Sequence, residues 1–582
     1  MDYSQEYFTI ENLGVGTNTL QIAKDNIPYY ADGTSNGVDY YEGDPTGDAD
    51  AAPAITIYYS FDKITWVPLG PTSTTALTVD FTDKIYLKAN CTKWATQLDA
   101  SKIWTSTNVI RCTDLHCFSG NIMSLVHGDN FVNDNTLTET YALAGIFYNN
   151  TTLVNINNLI LSAEYPGPAV YIMMFYGCIR LTTLPETLFS CVKSLNNNCF
   201  RLMFVHCSGL TSVPKKLLPF KTVARYCYNG MFHGCSSLTT TPILPASTLV
   251  YGCYNGMFRL CTSLTKTPNL LATTLDYGCY HSMFRGCSSL TEVSDLPATI
   301  LPERCYYAMF AECSSLQYPP KMHPVSIGTY SCSMMFNYCS SLLEPVTLPA
   351  LSVGESGCRG MFQQCTNLQY FPALPATELS PWCYSWMFQE CSSASNTISL
   401  PATVMKEECY HQMFCKCTSL QVAPELPATT LAKNCYLSLF YGCTSLMQAP
   451  KLKAQTIAEG AYQYMFYGCM NLNHIECQAL DISATDATDE WAKSVMSTGT
   501  FVQHINMNSW TRGISGIPTG WNVLFVDENG TTFSSEVKTQ HVFENAIVKD
   551  FKSLTVTPAH ISSSEFKEFV EVVVMPYMPY IC

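Results

Sequence analysis

Twenty-nine cysteines and eleven histidines supply this 582-residue chain with raw material for thiol or metal chemistry. Two stretches bring them close in sequence. HQMFCKC holds His411, Cys415 and Cys417, and CTDLHC holds Cys112, His116 and Cys117. A zinc site draws on four ligands, and its usual sequence sign is paired CxxC spacing, which neither stretch has. A Cys–His nucleophilic pair needs an exposed thiolate in an electropositive setting. Most of these cysteines instead recur in step with large apolar residues, which predicts buried, inert thiols. No phosphate loop, HExxH, G-x-S-x-G elbow or dinucleotide fingerprint occurs. The expectation is a protein that is not an enzyme, with no cofactor and with no catalytic, cofactor-binding or metal-binding residue.

The elements that carry the cysteines are set by a 26-residue clock. The Phe of a Met-Phe or related step recurs at Phe232, Phe258, Phe284, Phe310, Phe336, Phe362, Phe388, Phe414, Phe440 and Phe466. Phe204, Phe175 and Phe147 extend the series backwards at slightly longer intervals. Cys follows three residues after the Phe in every unit but the first, and Leu follows six after it except at Ala394. Such a period denotes a solenoid, in which each unit buries its apolar face only against its neighbours.

In CYHQMFCKC, Cys409, Met413 and Cys417 fall at i, i+4 and i+8, with Tyr410 and Phe414 beside them. That spacing predicts a short helix. The LQVAP segment predicts a few strand residues, and LPATT a breaker whose Pro recurs as Pro245, Pro297, Pro349, Pro375, Pro401 and Pro427. Strands stack at ~4.8 Å and helices at ~8–10 Å, so the array is expected to curve with its strands on the concave face. The same helix spacing exceeds the ~7 Å that a disulfide spans, which argues against a regular disulfide ladder.

Concave solenoid faces serve recognition. The positions just after the repeat Leu are Thr239, Lys266, Glu292, Gln317, Tyr318, Gln369, Tyr370, Gln421, Gln448 and His474. Their aromatic and amide groups suit a sugar or a protein. His206, His233 and His281 are expected to face solvent.

CYNGMFHGCSSLTTTPILPASTL (227–249) and its copies resemble the leucine-rich-repeat proteins of the BspA type, found in gut Bacteroidetes and their phages. GNIMSLVHGDNF (120–131) resembles the family's lead-in, and 482–523 its closing cap. The resemblance covers residues 120–521 and implies surface adhesion or, for phage members, a virion part that meets the host.

The whole chain then reads as an α/β repeat solenoid, leucine-rich-repeat-like, of about thirteen coils. Residues 1–110 carry six alternating runs and are expected to form an all-β sandwich. Residues 111–146 would be the N-terminal cap, 147–480 the array, 481–523 the C-terminal cap and 524–582 a small docking segment. The acidic loop 32–53 reads as a solvated surface loop.

Charged residues make up only 13% of the chain, and 31 basic against 46 acidic residues leave a net charge of −15. No basic stripe is visible, so nucleic acid is not expected as a partner. The acidic N-terminus lacks the pattern of a signal peptide, and no apolar run approaches the ~18 residues of a membrane helix. Membrane insertion is therefore not expected. The resemblance to BspA-type repeats implies a virion protein of a crAss-like phage, and the missing signal-peptide pattern favours that reading, with the protein made in the host cytoplasm. It would hold other virion proteins through its N-terminal domain or C-terminal segment and meet a host surface protein or glycan, and a homo-oligomer is compatible with this reading. The alternative is a bacterial cell-surface adhesin.

Overall fold

The computed structural model describes residues 3–27, 30–31, 41–42, 51–99 and 102–534. All six alternating runs of the N-terminal region are strands: Phe8–Asn12, Asn18–Ile27, Ile57–Ser60, Val67–Leu69, Leu77–Phe81 and Lys84–Ala89. Three more follow, Ala95–Asp99, Lys102–Cys112 and His116–Asn121. They form a four-stranded sheet, in which Asn18–Ile27 and Lys102–Cys112 are central, and most of a six-stranded one. The sixth strand of the larger sheet is Leu153–Ile160, which lies in the first coil and pairs in parallel with His116–Asn121. The repeat array thus grows directly from a sheet edge, covering an edge that would otherwise stay unpaired. Most of the acidic loop 32–53 lies outside the described residues.

The array is a repeat fold, but its cysteine-bearing segments are not helices. Among the described residues the α-helix is confined to Ser124–His127. In place of a helix, CYHQMFCKC is a chain of tight turns. The N–H groups of Cys409, His411, Met413, Cys415 and Cys417 each donate three residues back within the coil. The N–H groups between them leave the coil: those of Glu408, Tyr410, Gln412, Phe414 and Lys416 donate to the carbonyls of Lys433, Cys435, Leu437, Leu439 and Tyr441. Every fourth residue is left-handed, as at Glu408, Gln412 and Lys416 with φ of 50°, 52° and 58°. A four-residue turn repeat puts Cys, Met and Cys on one side as a helix does, so the apolar spacing alone does not separate the two. Glycine does. CYNGMFHGC places Gly230 and Gly234 at left-handed φ of 60° and 70°, where a helix interior disfavours Gly and a turn of this hand favours it.

Backbone ladders bring coils closer than helices can approach. Consecutive Phe rings from Phe147 to Phe466 stack 5.3–5.8 Å apart. The ~8–10 Å helix spacing on which the expected curvature rested is therefore not adopted. The expected strands shrink as well. Between the first coil's Leu153–Ile160 and the closing His474–Cys477 they are the two-residue pair Ile300–Leu301 and Ser326–Ile327 and single parallel bridges such as Lys266↔Glu292 and Val422↔Gln448.

Each coil buries the same set of side chains: in the unit of Phe258 these are Cys253, Tyr254, Met257, Phe258, Cys261, Leu264, Leu270 and Ala272. The Tyr stack runs from Tyr228 to Tyr306 and again from Tyr384 to Tyr462. Between the two runs, Cys332 and Cys358 occupy the Tyr slot, as their N–H partners show. The array ends in the parallel strands His474–Cys477, Thr500–His504 and Asn522–Val526, followed by the antiparallel strand Thr532–Phe533. The C-terminal segment from 535 onward lies outside the described residues.

Candidate functional site

The two residues after the repeat Leu form two side-chain rows along one side of the stack. Backbone bonds hold the rows in step: Leu343 N–H donates to Gln317 O and Gln369 N–H to Leu343 O, both at 3.0 Å. Gln448 bridges in parallel to Val422 and to His474. Thr239, Lys266, Glu292, Gln317, Tyr318, Gln369, Tyr370, Gln421 and Gln448 are all exposed, and His474 is half-buried. Both members of each adjacent pair face outward because the chain here makes single bridges and does not alternate as a continuous strand.

Within these rows the chemistry is uneven. Lys266 and Glu292 pair with each other at 2.7 Å. That exposed pair leaves little net charge for a partner. Thr239 and Thr291 turn their hydroxyls back to the Thr211 and Thr265 carbonyls. Tyr318 and Tyr370 stay 54% and 42% exposed, two coils apart, with exposed Glu344 on the coil between them. Gln421 lies farther along, in an open groove of about 330 Å³ whose other lining residues are Ser445, Met447, Asn471, Asn473 and Met496. The structure thus sets the candidates along one face and does not gather them into one pocket.

Sequence reasoning missed the five partners of Gln421. One signal was present: Asn471 stands five residues after its Phe, where eight of the ten coils from Phe232 to Phe466 carry Ser. Met496 comes from the closing cap, and no repeat position marks it.

The metal candidates are engaged elsewhere. His116 Nδ1 lies 2.9 Å from the Asp114 carbonyl and Nε2 lies 3.1 Å from Asn150 Nδ2. This pairing fits the neutral ring with its proton on Nδ1. Burial pulls the pKa of His116 down to about 4, against the raising effect of the Asp114 carbonyl. His411 Nδ1 meets Glu408 at 3.0 Å, and Cys417 donates to the Phe388 carbonyl at 3.1 Å. No group of three or more His, Cys, Asp or Glu is placed to hold a metal among the described residues.

The Cys417 contact repeats down the array. From Cys178 to Cys469 the thiol three residues after each Phe donates to the preceding coil's Phe carbonyl, at 3.0–3.4 Å. Burial pushes these thiols up, that of Cys287 to about 12. The helix spacing used against a disulfide ladder does not apply, since the coils are closer. What holds each sulfur is its aim at a carbonyl. His233 is buried, contrary to the solvent-facing expectation, while His206 and His281 are half-buried.

No helix among the described residues is long and apolar enough to cross a membrane. No curated protein matches the chain. Residues 168–318 and 384–487 match the BspA type leucine-rich repeat region, in six copies. The unmatched interval holds the coils in which Cys332 and Cys358 replace Tyr. Across both matched stretches the array is similar to BspA-type leucine-rich repeats, a likeness that supports a protein-binding or adhesin-like role.

Proposed function

We propose that this protein is a non-enzymatic recognition solenoid of a phage virion, which reads a host protein or glycan with its paired side-chain rows. The carrying observation is the exposed Tyr318 and Tyr370 on a backbone-laddered face that continues to the Gln421 groove. Tyrosine brings large contact area at low entropic cost, and such residues dominate binding surfaces. Amide groups at Gln317, Gln369, Gln421 and Asn473 add the hydrogen bonds that fix orientation. In this reading residues 1–110 form a β-sandwich, and either that domain or the segment 524–582 attaches the protein to other virion proteins. The chain works without a cofactor.

Binding to arrayed neutral glycans and to purified outer-membrane proteins of the host tests the face. Y318A/Y370A should weaken a retained ligand by about tenfold or more, and an unchanged affinity overturns the reading. Mass spectrometry of purified virions alongside host membrane fractions tests the carrier. Recovery in virions at fixed stoichiometry supports the virion assignment. Recovery only in outer membranes favours the second reading, a bacterial surface adhesin, which the BspA-type match supports.

A further inference from the structure

Six coils carry Pro thirteen residues after the repeat Phe, from Pro245 to Pro427, and the coil of Phe440 carries Lys453 there instead. The other lysines of the array follow two patterns. Lys193, Lys266, Lys416, Lys433 and Lys451 are tied to Glu164, Glu292, Glu390, Glu459 and Glu476 at 2.6–2.8 Å. Lys215, Lys216, Lys221, Lys321 and Lys406 have no carboxylate partner among the described residues and stand exposed. Lys453 likewise has no partner among the described residues, yet it is half-buried.

It lines an open groove of about 610 Å³ between its own coil and the one before. Thr429 and Thr430 come from the coil of Phe414, and Gln455 and Thr456 from that of Phe440. All four are exposed, and no side-chain hydrogen bond engages them among the described residues. Thr239 and Thr291, by contrast, turn their hydroxyls to carbonyls of the preceding coil. Backbone bridges hold the groove in register, Val404 with Thr430 and Thr456 with Asp481. Half-buried Leu431 and Ala458 add apolar contact. Nearby, Lys433 and Glu459 neutralise each other at 2.8 Å. Asp481 turns to the Ser483 N–H at 3.0 Å and does not line the groove.

We infer that this groove binds a carboxylated sugar unit, a uronic or sialic acid borne on a glycan. Lys453 takes the carboxylate. The threonine hydroxyls and the Gln455 amide, which both donate and accept, take the hydroxyls of the sugar. Leu431 and Ala458 meet an apolar face of the ring. One amine among four neutral polar side chains suits a ligand with a single charge and many hydroxyls. A phosphate dianion favours an arginine fork, and a nucleobase needs an aromatic platform; among the described residues neither lines the groove. Its volume falls within the ~300–1,000 Å³ of small-molecule sites. The groove shares no residue with the side-chain rows proposed for recognition, so the two assignments fail independently.

Saturation-transfer difference NMR of the full chain with sialyllactose, trigalacturonate, lactose and glutamate tests it. At least one of the two acidic sugars should bind, and lactose and glutamate should not at equal concentration. K453Q, with an unchanged melting temperature, should weaken that binding about tenfold or more. K453P supplies the residue that six other coils hold at this place, and the Lys453 N–H makes no hydrogen bond among the described residues. That variant should fold and lose binding to the same extent. T430V/T456V should weaken binding about threefold or more, and Y318A/Y370A should leave it unchanged. If K453Q melts early, K453P decides the matter. The inference is overturned if neither acidic sugar binds, if either folded Lys453 variant binds as tightly as wild type, or if lactose or glutamate binds equally well.

Discussion

At the scale of single residues the array rests on two requirements that recur coil after coil. One is a thiol that must be small, buried and aimed at a carbonyl. Among the described cysteines only Cys91 and Cys191 are partly exposed, so of these a thiol reagent applied to the native protein should label those two and spare the ladder until it is unfolded. Labelling of Cys287 or Cys313 at a native rate contradicts the buried ladder. The other requirement is left-handed backbone at every fourth turn residue. Gln364 adopts φ 61° there, so Q364G should stabilise the protein by about 0.5–1 kcal/mol, measured by chemical denaturation, because Gly loses the left-handed penalty. His116 adds a pH dependence. Its folded pKa, about 4, lies below the unfolded value of roughly 6.5, so the neutral ring is the folded form. Its contribution is complete above pH ~6.5 and is lost as pH falls toward 4, by roughly 3 kcal/mol in full. The melting temperature should therefore fall over that window, and less steeply in H116Q.

At the scale of the element, the turn segment replaces a helix because half its N–H groups are satisfied by the next coil. A helix satisfies its own donors and can stand alone, whereas this segment cannot. Its stability should then depend on the ring stack that sets coil spacing. Phe310 lies fully buried between Phe284 and Phe336. F310A should cost about 3–5 kcal/mol and should raise hydrogen exchange in its own and both adjacent coils. Loss of protection restricted to one coil would contradict the ladder. Side chains join the same scheme on the surface: Asn337, Gln363 and Gln389 pass amide hydrogen bonds from coil to coil at 2.7 and 2.5 Å.

For the whole molecule, neighbour-only coupling predicts tolerance of whole-unit change. Deleting 262–287 joins Cys261 to Ser288 and keeps Phe258 and Phe310 in register. That variant should fold with a single cooperative transition, while removal of half that length should not, as circular dichroism and thermal melting will distinguish. The ends behave differently. The first coil continues the N-terminal sheet through His116–Asn121, and Trp491 covers the last one, stacking 6.3 Å from Tyr462 and 5.3 Å from Trp510. Deletions that remove either closure should expose the ring stack and cause aggregation.

The sequence by itself determined the period, the buried set and the six N-terminal strand runs, because each depends on which residues are apolar and how often they return. It also placed the exposed rows after the repeat Leu, since a conserved register implies a shared side of the stack within this chain. It did not separate helix from turn chain, because a four-residue apolar repeat is common to both, and only the recurring Gly at left-handed positions carried the difference. Coil spacing, closer than packed helices allow, was decided by inter-coil N–H donation. The Gln421 groove was likewise a tertiary outcome, for it joins side chains from separate coils and the closing cap whose approach no spacing along the chain records.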